Sequence, residues 1–291
     1  MKFGLQINRF DWSGAPDSIG PKLAEIAGTA EAAGFDSLWV MDHYYQIDPG
    51  LGSKDDPMLE AYSALNFIAA VTERVRLGVM VTGVVYRHPG FLIKQVSTLD
   101  VLSGGRANFG IGAAWYWQEA KGLGFPFPST SERFEQLEEV LKLAKQVWAG
   151  DFSPFEGKHY KLEAPINSPQ PITKPHPPIL IGGEGEKKTL RLVAQYGDAC
   201  DLFATNGVAS AAKKLAILRD HCEALGRDYD EIEKTVLGPI DLSSDSLSPS
   251  EAVDEIGQFA EIGIQHYIIS IPNVSEIEPI ERFGREVRSK F

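Results

Sequence analysis

Cysteine is almost absent from this chain. Two occur in 291 residues, Cys200 and Cys222, and neither belongs to a C-x-x-C pair. That excludes a disulfide framework and fits a reducing, cytoplasmic setting. Long apolar runs are missing too, so no membrane-spanning helix is expected. The start, Met1-Lys2-Phe3-Gly4-Leu5-Gln6-Ile7, turns polar too soon for a signal peptide. The six histidines show no H-x-H or H-E-x-x-H spacing, so no metal centre is expected. Positive charge is short, with 28 Lys and Arg against 40 Asp and Glu and a net charge of −12. Nucleic acid and anionic membranes are therefore poor partners, and a small molecule is the expected one. An anionic ligand would need a locally positive pocket.

What the chain does have is apolar periodicity. Eight β-rich runs stand out, at Phe3–Asn8, Ser37–Met41, Val75–Thr82, Ala107–Gly112, Ile179–Gly182, Ala199–Ala204, Thr235–Gly238 and His266–Ile271. Helical patterns separate them, at Pro21–Ala33, Met58–Thr72, Phe91–Leu102, Ser131–Ala149, Glu186–Tyr196, Ala209–Leu225, Pro249–Ile262 and Glu276–Lys290. Ser131-Glu132-Arg133-Phe134-Glu135 reads as a capping box at the fourth of these. Eight alternations predict an α/β fold with a parallel sheet closed into a (β/α)8 TIM barrel, forming one domain over 1–291. A doubly wound open sheet is the alternative. One segment breaks the rhythm: Gly150–Pro178 holds seven prolines and no helical pattern. It reads as an insertion before strand 5, either a functional lid or a surface meander with one short hairpin. The polar stretch Ser243–Ser250 reads as a loop and helix cap.

In such a barrel, chemistry gathers where the strands end. Strand 2 ends in Asp42-His43. An imidazole titrates near neutral pH, so His43 is the candidate proton carrier, with Asp42 orienting it or accepting a ligand N–H. A well-bonded corner is the alternative for the pair. The other strand ends carry mostly small residues, including Thr82-Gly83, Gly112-Ala113-Ala114 and Gly183-Glu184-Gly185. Such residues let a flat ligand approach the backbone closely. Gly182, Gly183 and Gly185 run into a helix start, a suitable anion site, although Glu184 and Glu186 oppose phosphate there. Three adjacent aromatics, Trp115-Tyr116-Trp117, cannot all face one core, so at least one should line a pocket mouth. His88 before Pro89 reads as a helix-start residue.

Several of these segments together resemble the bacterial luciferase-like oxidoreductase superfamily. They are Phe3-Gly4-Leu5, Ala33-Gly34-Phe35-Asp36-Ser37-Leu38-Trp39 into Asp42-His43, Arg87-His88-Pro89, Leu102-Ser103-Gly104-Gly105-Arg106, Gly110-Ile111-Gly112 into Trp115, Glu132–Glu139 and Pro178–Gly183. The likeness runs in order along the chain and is strongest to the coenzyme F420-dependent branch. It implies a barrel with a flavin or deazaflavin over its C-terminal mouth. It also implies a non-proline cis peptide at Met80-Val81, a catalytic role for His43 with Asp42 beside it, and a homodimer through helices near strands 2 and 3. Cofactor contacts are implied at Asp42, Met80, Val81, Thr82, Gly112, Ala113, Ala114, Gly182, Gly183, Glu184 and Gly185. Tyr44, Trp115 and Trp117 would wall the substrate pocket. The F420-dependent sugar-phosphate dehydrogenases carry a glutamate proton donor where this chain has Trp115, so a helper acid is expected to be missing.

The leading expectation is an F420-dependent oxidoreductase that moves a hydride to or from a small hydrophobic organic molecule. An FMN-dependent monooxygenase on the same fold is the alternative, and a non-catalytic flavin-binding homologue is a further one. A glycoside hydrolase would need two facing carboxylates, and Asp42 and Glu184 sit on strands 2 and 5 with nothing to bring them together.

Overall fold

The computed structural model describes residues 1–242 and 246–291. Eight parallel strands form a closed ring: β1 (Lys2–Ile7), β2 (Ser37–Val40), β3 (Arg76–Val79), β4 (Ala107–Gly112), β5 (Ile179–Gly182), β6 (Ala199–Phe203), β7 (Glu233–Pro239) and β8 (His266–Ser270). Around the ring the order is β3-β2-β1-β8-β7-β6-β5-β4. Pairing of Leu77 with Ala107 and of Gly78 with Asn108 joins β3 to β4 and closes it. This is the (β/α)8 barrel that the alternation of apolar runs predicts, and the open sheet is excluded. The helices are α1 (Ile19–Ala32), α2 (Ala61–Val71), α3 (Pro89–Leu102), α4 (Trp117–Leu123), α5 (Thr130–Trp148), α6 (Thr189–Tyr196), α7 (Val208–Leu225), α8 (Pro249–Glu261) and α9 (Glu278–Arg282).

Side chains alternate across each strand, so one set packs outward and the other fills the ring. Outward residues such as Leu5, Leu38, Leu77, Phe109 and Ile181 join the helix faces in the main core. Inward, Trp39, Met80, Leu180, Ala199 and Ile268 form a separate apolar plug. Trp39 fits because two neighbours are glycines. A Cβ at Gly4 would stand 2.9 Å from Trp39 Nε1, and one at Gly78 would stand 2.7 Å from Trp39 Cε3. The indole N–H donates to Ser37 Oγ at 2.7 Å, and Ser37 Oγ lies 3.0 Å from His266 Nε2, so the buried polar atoms of the plug are partnered.

Several helix boundaries differ from the sequence reading. Glu60 caps α2 by accepting from the amides of Tyr62 and Ser63, so Met58 and Leu59 stay outside the helix. The capping box at α5 is Ser129 with Glu132, two residues before Ser131. Ser248 with Glu251 forms a second box at α8, whereas Ser243–Asp245 of the expected loop lie outside the described residues. His88 caps α3 as expected, its Nδ1 accepting from the Gly90 amide. The last expected helix is broken: α9 is short, followed by wider turns at Phe283–Val287 and tighter ones at Arg288–Lys290. Gly284 passes so close to α1 that a Cβ there would lie 2.7 Å from Ala33 O. Among the described residues no helix is long and apolar enough to cross a membrane. Both cysteines are free and buried.

The segment 150–178 forms one short antiparallel hairpin, Phe155–Glu156 with Lys161–Leu162. It is tied to the outside of the barrel. Buried Asp100 accepts from the Thr173 amide and hydroxyl, and Asn167 donates to Ser97 Oγ.

Candidate active site

Above the Trp39 plug, the C-terminal mouth of the barrel opens into a cavity of about 740 Å³, a size suited to a small cofactor and its substrate. Its floor is the bulge after β3. The Met80-Val81 peptide is cis, as the family resemblance implies. The strand expected over Val75–Thr82 therefore stops at Val79, bulges, and pairs again with β4 through Thr82 and Gly83. Val81 is seated between glycines: a Cβ at Gly182 would be 2.8 Å from its methyl carbons and one at Gly112 would be 2.9 Å away. The resulting shelf is flat and apolar.

His43 stands at the end of β2 and borders this cavity. Its ring meets Trp115 and Tyr116 edge-on, with centroids 5.7 Å away in each case. Its Nδ1 lies 3.3 Å from Glu119 Oε1. A carboxylate oxygen only accepts, so Nδ1 carries a proton and donates it to Glu119. Among the described residues Nε2 has no protein partner.

Glu119 is the residue that the sequence reading missed. It is 0% exposed, and its other oxygen accepts from the amides of Tyr44 at 2.6 Å and Tyr45 at 2.7 Å. Burial alone would raise its pKa. The hydrogen bonds from His43 and the Tyr45 amide outweigh burial and hold it below the ordinary glutamate range. The sequence leads one to expect no acid near Trp115, yet the next turn of chain brings Glu119 against His43. Helix α4, which carries Glu119, was absent from the sequence reading. Helical side chains lean toward the N-terminus, which carries this carboxylate back under His43. The only signal was a polar pair, Gln118-Glu119, inside an aromatic stretch.

Asp42 does not orient His43. Its Oδ2 accepts from Arg87 Nη1 at 2.7 Å and from the Gly83 amide at 2.9 Å. Arg87 is 8% exposed and holds Glu60 with its other arm, so the buried guanidinium is matched by two acids. Burial works against its charge, and Asp42 more than restores it. Asp42 therefore fastens the bulge after β3 to the end of β2 and forms cavity wall at the same time.

The cavity also gathers Met80, Val81, Gly112, Ala113, Ala114, Trp115, Gly182 and Gly183. Five expected site residues lie elsewhere. Thr82 is fully buried and hydrogen-bonds Tyr62 Oη at 2.8 Å. Glu184 turns away to accept from the Phe203 amide and from Asn206 Nδ2, fixing the loop after β6. Gly185 is packed beside Thr189. Tyr44 stacks on Phe125 with centroids 5.6 Å apart, and burial pushes its phenol up to about 12. Trp117 is half exposed in a separate shallow pocket with Lys121 and Phe125.

Sequence reading also missed Arg133 and Asp201, which line the cavity. Arg133 is held by three bonds: Nε donates to Ala113 O at 2.9 Å, Nη1 to Pro128 O at 2.6 Å and Nη2 to Thr130 Oγ1 at 3.3 Å. The segment 150–178 contributes none of the residues that line this cavity.

With this geometry, the comparisons with known proteins agree on one family. The family described as luciferase-like monooxygenase matches residues 1–286. A protein of Kineococcus radiotolerans named F420-dependent glucose-6-phosphate dehydrogenase is 31% identical over 278 residues, covering 91% of this chain and 78% of the relative. One of the same name from Nakamurella multipartita is 32% identical over 232 residues, covering 77% of this chain and 65% of the relative. Among solved structures, the coenzyme F420-dependent tetrahydromethanopterin reductase of Methanopyrus kandleri superposes with a TM-score of 0.81 at 19% identity, covering 100% of this chain and 99% of that one. The chain belongs to the luciferase-like monooxygenase family.

Proposed function

We propose that this protein is a coenzyme F420-dependent oxidoreductase acting on a small, neutral, hydrophobic organic molecule. The relatives named above support the cofactor. One observation carries the substrate class: the cavity wall is mostly apolar. Its ionisable groups are Asp42, His43, Tyr86, Arg133 and Asp201, and among the described residues Arg133 is its one cation, with each guanidinium nitrogen already bonded to a protein oxygen. A sugar phosphate, as a dianion, would meet a single, partly spent guanidinium.

The residues fit such a cofactor. Met80, Val81, Gly112 and Gly182 form an apolar shelf on which a flat ring could rest. Gly183, Thr130 and Thr189 place backbone and hydroxyl groups at one side of the mouth, suited to the single negative charge of a phosphodiester. When bound, the deazaflavin supplies hydride chemistry at its C5. The protein supplies position and proton management. Glu119 fixes the Nδ1–H form of His43, leaving Nε2 to exchange a proton with the substrate atom that gains or loses hydride. Trp115, 59% exposed, stands beside His43 at the mouth and gives the substrate an apolar wall. Four large apolar side chains lie exposed on neighbouring helices, Phe67 and Val71 on α2 and Phe91 and Leu102 on α3, and support pairing of two copies through that face.

Titration of the purified apoprotein with F420 and with FMN tests the cofactor. Tight FMN binding without F420 binding would overturn the reading and favour oxygen chemistry. Turnover of glucose 6-phosphate faster than that of neutral alcohols or carbonyl compounds would overturn the substrate class.

A further inference from the structure

Asp201 interrupts an apolar strand, Ala199-Cys200-Asp201-Leu202-Phe203, and forms part of the cavity wall. It is 2% exposed. Strands β2 and β6 are four places apart in either direction around the eight-stranded ring, so Asp201 sits across the cavity from His43. Among the described residues no cation pairs with it, and its one side-chain partner is Thr235 on β7.

Thr235 Oγ1 lies 2.7 Å from Cys200 O and 3.0 Å from Asp201 Oδ1. A hydroxyl carries one proton, and a backbone carbonyl can only accept. The shorter contact takes that proton. The contact with Asp201 is then a hydrogen bond only if Asp201 provides the hydrogen. Two bare oxygens at that distance in a dry site would repel each other. Burial works in the same direction and pushes the Asp201 carboxyl up to about 7, with the charge of Glu184 adding to the lift. A Thr235 hydroxyl turned onto Asp201 would favour the charged form, and even that bond leaves the carboxyl lifted to about 7.

We propose that Asp201 is a neutral carboxylic acid in the resting protein, with Oδ1–H donated to Thr235 and Oδ2 left as the cavity's acceptor for a ring N–H of the bound cofactor. Among the described residues Oδ2 has no protein partner. Flavins and deazaflavins share a ring N–H flanked by two carbonyls. A neutral acceptor suits that arrangement, whereas a carboxylate would repel the flanking oxygens and any anionic ligand. The identity of the ring rests on the cofactor reading above; the protonation of Asp201 does not.

The other titratable groups around the cavity are His43 with Glu119, Asp42 with Arg87, Arg133, and Tyr86, whose phenol burial pushes up; Glu184 lies behind the β5 turn. The experiment must separate them. Protein labelled with carbonyl-13C aspartate, examined by infrared or NMR spectroscopy, should show one protonated aspartate at about pH 6 that ionises at higher pH and is missing in Asp201→Asn. In fluorescence titrations from about pH 6 to about pH 9, wild-type affinity for F420 should fall by about tenfold, one pKa unit's worth of discrimination. Asp201→Asn keeps the shape and an acceptor oxygen, so it should bind as the wild type does at low pH and change less with pH. Asp201→Leu, which removes the acceptor, should bind weakly throughout. An ionised Asp201 at about pH 6, or an Asp201→Asn profile that tracks the wild type, would overturn the proposal. Should F420 fail to bind at any pH, the cofactor reading falls alone. The labelled spectrum still decides the protonation, and FMN, whose ring bears the same N–H, takes over the binding arm.

Discussion

The two walls of the cavity each bury an acid, and the two acids are treated in opposite ways. On the β2 side Glu119 is 0% exposed; on the β6 side Asp201 is 2% exposed. Burial lifts both carboxyls, and the donors around each decide how much of that lift is offset. Glu119 receives two backbone N–H groups and the His43 ring, and its pKa is lowered despite burial. Asp201 has one threonine hydroxyl, shared with Cys200 O, and burial carries its pKa up to about 7. The lesson is that burial raises a carboxyl unless enough hydrogens are aimed at it. One wall thus keeps a fixed negative charge beside a histidine, and the other keeps a neutral acid.

That contrast can be broken or sharpened by substitution. His43→Ala should have the largest effect, lowering kcat by about 10²- to 10⁴-fold while fluorescence titration still shows cofactor bound. Retained turnover would remove proton transfer from the β2 wall. Glu119→Gln should come next, with kcat down by about 10- to 100-fold and loss of the fixed imidazole tautomer, seen as a displaced pH profile. It should also cost about 1–3 kcal/mol of stability in denaturant titrations, since two buried amides lose a charged acceptor. The sign can be checked. A lowered carboxylate pKa gives stability that is present at neutral pH and lost as pH falls through the folded value, so this variant should show a shallower acid transition.

The β6 wall should respond with the reverse sign. A raised pKa gives stability that is full below the unfolded value and lost as pH rises through about 7. Asp201→Asn should therefore gain on the wild type between about pH 4 and about pH 7 and hold that gain above, by about 1.4 kcal/mol for each pKa unit of displacement. Denaturant midpoints at several pH values read this directly, and equal midpoint differences at all pH values would contradict it. The smallest effect belongs to Trp115→Ala. This exposed aromatic touches His43 only by its edge, so KM for apolar substrates should rise by about 10-fold or less with kcat nearly kept.

The barrel was legible because period-2 and period-3.6 patterns mark its strands and helices along the chain, and His43 was legible because a polar pair ends an apolar run. The glycines around Val81 could be assigned by resemblance. Glu119 and Asp201 could not be found in this way. Glu119 rides on a short helix behind three aromatics, where no apolar period marks its face. Asp201 looks like a flaw in an outward-packed strand until the ring closes, because only the register of β6 against β5 and β7 settles which residues face inward. Glu184 was misplaced for a related reason. Its sequence neighbours line the cavity, but its side chain answers the unpaired amide of Phe203. Adjacent residues on a turn point in different directions, and spacing alone does not say which.

The plug made by Trp39 and its neighbours has a consequence for order of binding. It fills the barrel below the Met80-Val81 shelf, so a ligand on that shelf lies beneath whatever binds nearer the C-terminal mouth. A cofactor on the shelf would be held in place by the substrate above it. Steady-state kinetics should then show compulsory-order behaviour, with product departing ahead of the spent ring.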